Sequence, residues 1–106
     1  MKKLLGLVAV LSLLAAAIPA FAATRTVRVA DDVFAPKSLT VRKGDVVRFS
    51  WQGRHPHNVV VTQGPERFRT SIKRAPYTYR KRITRRGTYR IVCTIHPAMR
   101  MTLKAS

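Results

Sequence analysis

The chain has 106 residues, with 21 Lys and Arg against four Asp and Glu, a formal charge of +17 at neutral pH and a single cysteine. One cysteine excludes an intrachain disulfide, and the length excludes more than one sizeable domain. The charge sets the chain against cationic partners and toward acidic proteins, anionic lipid or nucleic acid.

The first residues read as an export signal. Lys2 and Lys3 form a positive start, Leu4 to Ile18 an uncharged and mostly apolar stretch, and Ala20-Phe21-Ala22 a small-x-small cleavage site. The apolar run falls short of the ~20 residues a helix needs to span a bilayer, and Pro19 favours removal over anchoring. Cleavage after Ala22 is expected, giving a signal peptide over 1–22, a single domain over 23–106 and a periplasmic or secreted protein. An odd cysteine in a small exported domain points to a reactive thiol, intermolecular pairing or a metal ligand.

From Thr24 to Ala30 the sequence alternates, Val27 and Val29 on one face and Thr26 and Arg28 on the other, as a half-buried strand does. Asp31-Asp32-Val-Phe-Ala-Pro36 breaks the pattern, and Leu39 and Val41 resume it. Lys43-Gly44-Asp45 is a turn leading into a strand from Val46 to Trp51, with Val47, Phe49 and Trp51 on one face. Gly53 and Pro56 make Gln52 to Pro56 a loop, and the β-branched stretch His57 to Thr62 is expected as a strand with His57 at its start. Gln63 to Pro76 has no clear period and reads as an irregular crossing with room for one helical turn. Tyr77 to Ile83 alternates again, with Tyr77 and Tyr79 inward, and Arg85-Arg86-Gly87 turns the chain. Tyr89, Ile91 and Cys93 share a face of the next strand, and a last strand runs from about Met99 to Lys104. No segment after the signal sustains a helical period, so the fold class is all-β, a β-sandwich.

Cys93, His96 and Met99 form a Cys-x-x-His-x-x-Met run, with the pair His57-Asn58 far upstream. A thiolate and a thioether are soft donors that suit Cu(I), while imidazoles serve both oxidation states. A fixed mixture of the two lets a copper ion change charge with little rearrangement. Two residues between Cys93 and His96 let one tight loop present both to the same ion. Cys93 alone would read as a small buried hydrophobe; His96 three residues on makes it a ligand. His55-Pro56-His57 offers two imidazoles, of which His57 is favoured by the Asn that follows it and by its place at a strand's start. His55 is then an exposed loop residue near the site, with Arg54 on the same rim. Strand alternation puts Met99 and Met101 on one face, so by periodicity either suits a weak thioether position.

Taken together, Gly87-Thr-Tyr-Arg-Ile-Val-Cys93-Thr-Ile-His96-Pro-Ala-Met99, His57-Asn58 after Pro56, and Phe34-Ala-Pro36, Leu39-Thr-Val41 and Lys43-Gly-Asp45 resemble the cupredoxins, the plastocyanin- and azurin-like blue type 1 copper proteins. The short ligand loop most resembles that of the amicyanins, and the resemblance spans essentially all of residues 23–106. It implies a Greek-key β-sandwich of the cupredoxin type with one copper ion per chain. It implies His57, Cys93 and His96 as ligands, Met99 as the axial ligand, and Asn58 as the residue that hydrogen-bonds across to the ligand loop and orients the donors. Ile95 stands where amicyanin-like loops often carry proline, a departure that bears on loop stiffness and on hydrogen bonding to the thiolate sulfur.

The leading expectation is an exported carrier of single electrons, cycling Cu(I)/Cu(II), with His96, Pro97 and Ala98 as its electron-transfer surface. The partner expected is an acidic redox protein, such as a cytochrome or a periplasmic oxidoreductase, met by a monomer. The alternative is extracytoplasmic copper binding for storage, delivery or tolerance without electron transfer. A non-enzymatic role is expected, since no acidic group is placed to orient a Cys-His pair and a closed four-ligand set leaves no open coordination position. Lys73-Arg74, Arg80-Lys81-Arg82 and Arg85-Arg86 would draw polyanions. Export argues against nucleic acid, and weak attraction to an anionic membrane surface is the more natural consequence.

Overall fold

Alternation at period two decides which side chains of each strand turn inward, and two sheets meet over the result. The computed structural model describes residues 21–106. All but the last two residues of the expected signal peptide lie outside them. The strands are β1 (Thr24–Ala30), β2 (Val33–Ala35), β3 (Ser38–Val41), β4 (Val46–Trp51), β5 (Val60–Gln63), β6 (Tyr77–Arg82), β7 (Gly87–Val92) and β8 (Arg100–Ala105). They form one sheet in the order β2-β1-β4-β6 and a second in the order β3-β8-β7-β5. The pairs β1–β4 and β3–β8 are parallel, the others antiparallel. The core between the sheets takes Val27 and Val29 from β1, Val47, Phe49 and Trp51 from β4, and Tyr89, Ile91, Met101 and Leu103 from the facing sheet. Among the described residues no helix is long and apolar enough to cross a membrane.

Three stretches differ from the expectation. Val33–Ala35, inside the segment that breaks the alternation, is a strand that folds back on β1 and pairs Phe34 with Val29. The reversal is the Asp31-Asp32 turn, where Asp32 takes φ 61°, a left-handed conformation that Asp and Asn tolerate better than other side chains. The strand expected from His57 starts only at Val60, because His57, Asn58 and Val59 are all buried and none faces solvent as alternation would require. Their backbone bonds go to the crossing segment: His57 and Lys73 exchange N–H···O bonds of 2.9 Å, and Thr70 donates its amide to the Val59 carbonyl. The crossing, committed to these bonds, carries no helical turn.

The far end of the crossing is pinned at Glu66. Burial works to raise its pKa, but the Thr84 hydroxyl and amide, the Tyr89 hydroxyl and the Lys81 ammonium all donate to the carboxylate and carry it down from 4.5 to about 2. This draws Lys81 out of the expected Arg80-Lys81-Arg82 cluster and over the ring of Phe68.

Candidate metal centre

Three donors from two distant stretches of chain converge at one end of the sandwich. The ligand atoms of His57, Cys93 and His96 all lie within 4.8 Å of one another. His57 Nδ1 is 3.2 Å from His96 Nδ1, and Cys93 Sγ is 3.6 Å from the same His96 nitrogen. Metal–nitrogen and metal–sulfur bonds of about 2.0 and 2.3 Å reach across both separations from a single ion. His57 is fully buried, Cys93 is 2 % exposed and Met99 is 1 % exposed, while the His96 side chain keeps 26 % of its surface open. Burial, with the neighbouring His96 adding to it, pushes the His57 imidazole below its usual pKa and toward the neutral form that ligates metals.

The frame around the donors is built from hydrogen bonds. Trp51, at the end of β4, donates its indole N–H to the His57 carbonyl at 3.0 Å, tying the His57 backbone to the opposite sheet. Asn58 accepts from the Thr94 amide at 2.8 Å and donates to the Thr94 hydroxyl at 2.9 Å. The ligand loop closes on itself, Cys93 N–H to the Met99 carbonyl at 3.0 Å and Met99 N–H to the His96 carbonyl at 2.9 Å.

Register separates the two methionines, which alternation does not. The Cys93–Met99 bond places Met99 across from Cys93, whereas Met101 pairs with Ile91, two residues and about 7 Å further into the sandwich. His55 stays at the surface, 54 % exposed, with its ring centroid 6.2 Å from that of His96. Pro97 and Ala98 are exposed beside His96, and Ile95, 41 % exposed, widens the apolar patch they make. Sequence reasoning passed over Asp31 and Asp32. The amide of His55, with that of Arg54, donates to Asp31 and holds its carboxyl below the usual carboxylate range, and Asp32 Oδ1 stands 3.2 Å from His96 Nε2.

A family model described as copper binding proteins, plastocyanin/azurin family, matches residues 22–105. The chain belongs to that family. It is similar to the plastocyanin of Prochlorothrix hollandica, 33 % identical over 96 residues that cover 80 % of this chain and 73 % of the relative. It superposes on amicyanin from Paracoccus versutus with a TM-score of 0.70 at 26 % identity, covering 87 % of this chain and 88 % of that one. It also superposes on Cu-containing nitrite reductase from Thermus scotoductus SA-01, with a TM-score of 0.72 at 28 % identity, over 84 % of this chain but only 23 % of the reductase chain. The cupredoxin fold, the likeness to amicyanin and copper as the cofactor are as the sequence led us to expect. The donor set of this cupredoxin fits the ion: one thiol and two imidazoles gathered in a largely dry site, with an orphaned Nε2 on His57 that becomes an N–H donor once Nδ1 is given to a metal.

Asn58 joins the segment that carries His57 to the loop that carries Cys93. In Asn58→Ala the Thr94 amide loses its acceptor, so the protein should unfold about 1–3 kcal/mol more easily and bind copper about 10–100-fold more weakly. Chemical denaturation of the metal-free protein and competitive copper titration measure the two effects. Unchanged values in both would show that the bridge holds nothing in place.

Proposed function

We propose that this cupredoxin is an exported, monomeric single-electron carrier whose copper is held by His57, Cys93, His96 and Met99. The observation that supports this most is the burial pattern, in which every donor is enclosed except one edge of His96. Copper bound there supplies a one-electron Cu(II)/Cu(I) couple. The residues contribute a fixed frame. His57 is held from the opposite sheet by Trp51, Cys93 by the Asn58–Thr94 bridge one residue on, and Met99 by the closed loop. Donors fixed by the fold rearrange little when the charge changes, which keeps electron transfer fast.

His96, ringed by Ile95, Pro97 and Ala98, offers a partner a small apolar contact, the size of surface that transient redox encounters use. Exposed Arg54, Lys73, Arg74 and Arg100 surround this end and favour an acidic partner, such as an acidic cytochrome or an oxidoreductase with an acidic docking face. Copper delivery fits less well, because the buried Cys93 and Met99 give an acceptor's thiols no soft ligand to replace. Four protein donors leave no open position for substrate, so the protein is read as a carrier and not an enzyme. The basic surface would add weak attraction to anionic membranes, and export to the periplasm or beyond makes nucleic acid no partner.

Cys93→Ser should abolish the intense blue absorption of the copper-loaded protein, since a hydroxyl is too weak an acid to replace the thiolate. His57→Gly should lose it and regain it with added imidazole, whereas His55→Ala should leave it unchanged. Absorption spectra of the three variants decide the assignment, and a colourless His55→Ala beside a blue His57→Gly would reverse it.

Steering by charge has its own signature. The rate of electron exchange with an acidic redox protein should fall steeply with salt, as screening at ~0.15 M confines the field to about 8 Å. Stopped-flow measurement across a salt series reads this directly, and a salt-independent rate would remove the basic surface from the mechanism.

A further inference from the structure

The two imidazoles turn their second ring nitrogens toward a single tight turn. With the Nδ1 atoms facing each other at 3.2 Å, both Nε2 atoms lie on the side of the rings away from that pair. Asp32 Oδ1 lies 3.2 Å from His96 Nε2, and Asp31 Oδ1 lies 3.7 Å from His57 Nε2. His57 Nε2 is buried and has no hydrogen-bond partner. An imidazole that gives Nδ1 to a metal carries its proton on Nε2, and that N–H needs an acceptor. Asp32 offers that acceptor to His96, and the adjacent Asp31 carboxylate stands just beyond hydrogen-bond reach of His57.

The turn is built to hold them there. Asp31 accepts from the amides of Arg54 and His55 at 2.9 and 2.8 Å, and His55 Nδ1 stands 3.1 Å from Asp32 Oδ1. Gly53, at φ 86°, sits so close that a Cβ would collide with the Asp31 carboxylate, so the loop before His57 is shaped around this side chain. The chain has only four acids. Asp45 is committed to the amides of Ala23 and Arg42, and Glu66 to Thr84, Lys81 and Tyr89, so Asp31 and Asp32 are the two acids beside the ligand imidazoles.

The geometry points to Asp31 and Asp32 as the charges that lower the reduction potential of the copper by favouring Cu(II), with Asp32 as the positioning residue that holds the His96 imidazole in the Nε2–H form. This rests on the ligand assignment proposed above. Carboxylates bonded to the outer edge of ligand histidines make them stronger donors, and two nearby negative charges stabilise the ion's higher charge state more than its lower one.

The test is the reduction potential of Asp32→Asn and Asp31→Asn, with Asp45→Asn as a control that removes the same charge at the opposite end of β4. Asparagine suits the left-handed turn at position 32 and keeps an acceptor at both positions, so the change is one of charge. The ratio of Cu(II) to Cu(I) affinity should fall about tenfold in each site variant, a rise of about 59 mV for a one-electron couple, with the blue absorption retained. Long-range proton–nitrogen NMR of the Cu(I) proteins should show His96 Nε2–H less protected from exchange in Asp32→Asn than in the wild type. Potentials of the two site variants that move no further than that of Asp45→Asn would overturn the proposal. Should Asp31→Asn fail to fold for want of its loop bonds, Asp32→Asn decides alone. A wild-type protein without blue absorption would instead overturn the copper assignment, a failure distinct from an unshifted potential in a blue variant.

Discussion

Two hydrogen bonds between Asn58 and Thr94 join chain segments 36 residues apart, and the metal centre depends on that junction. His57 is the residue before one partner and Cys93 the residue before the other, so the bridge sets the distance between an imidazole and the thiol. Its energy is modest. Two bonds at about 0.5–1.5 kcal/mol each do not offset about 1–2 kcal/mol of backbone entropy for every ordered residue. The apolar core must therefore supply the stability, and the bridge supplies position. Trp51 extends the same logic to the opposite sheet, where its indole holds the His57 carbonyl while its ring packs edge-on against Tyr77 at 4.9 Å.

How much of this was legible in the sequence depended on how far apart the interacting residues stand. β1, β4, β6 and β7 have one face packed on the core, so their alternation is a local record of the fold. β2 escaped notice because three residues beside a proline carry too little pattern, and its pairing with β1 becomes visible only through the turn at Asp32. The segment 57–59 escaped for the opposite reason: all three side chains are buried, and a stretch without an exposed face has no alternation to read. Cys93, His96 and Met99 stand close together in the sequence because one loop carries them, and register sets Met99, not Met101, across from Cys93. Asp31 and Asp32 left no signal near His57 or His96, since a hairpin and a parallel strand pair bring them there.

The charge is distributed in a way that costs stability. Arg48 of β4 stands directly opposite Arg80 of β6, a like-charge pairing that destabilises by about 0.2–1 kcal/mol. Among the described residues Glu66 is the one acid paired with a lysine, and the remaining acids serve backbone amides or the imidazoles. The positive surface is thus left largely without neutralising acids. Against this background the Asp31-Asp32 turn is a small negative island beside the exposed edge of His96.

A donor set fixed by the fold should look the same to the metal before and after an electron arrives. X-ray absorption at the copper edge, on the oxidised and reduced protein at neutral pH, measures this most directly. The account predicts one sulfur at a short distance and two imidazole nitrogens in both states, with the longer thioether contributing little and the short distances nearly unchanged. Loss of an imidazole on reduction, or the absence of short-distance sulfur in either state, would contradict it.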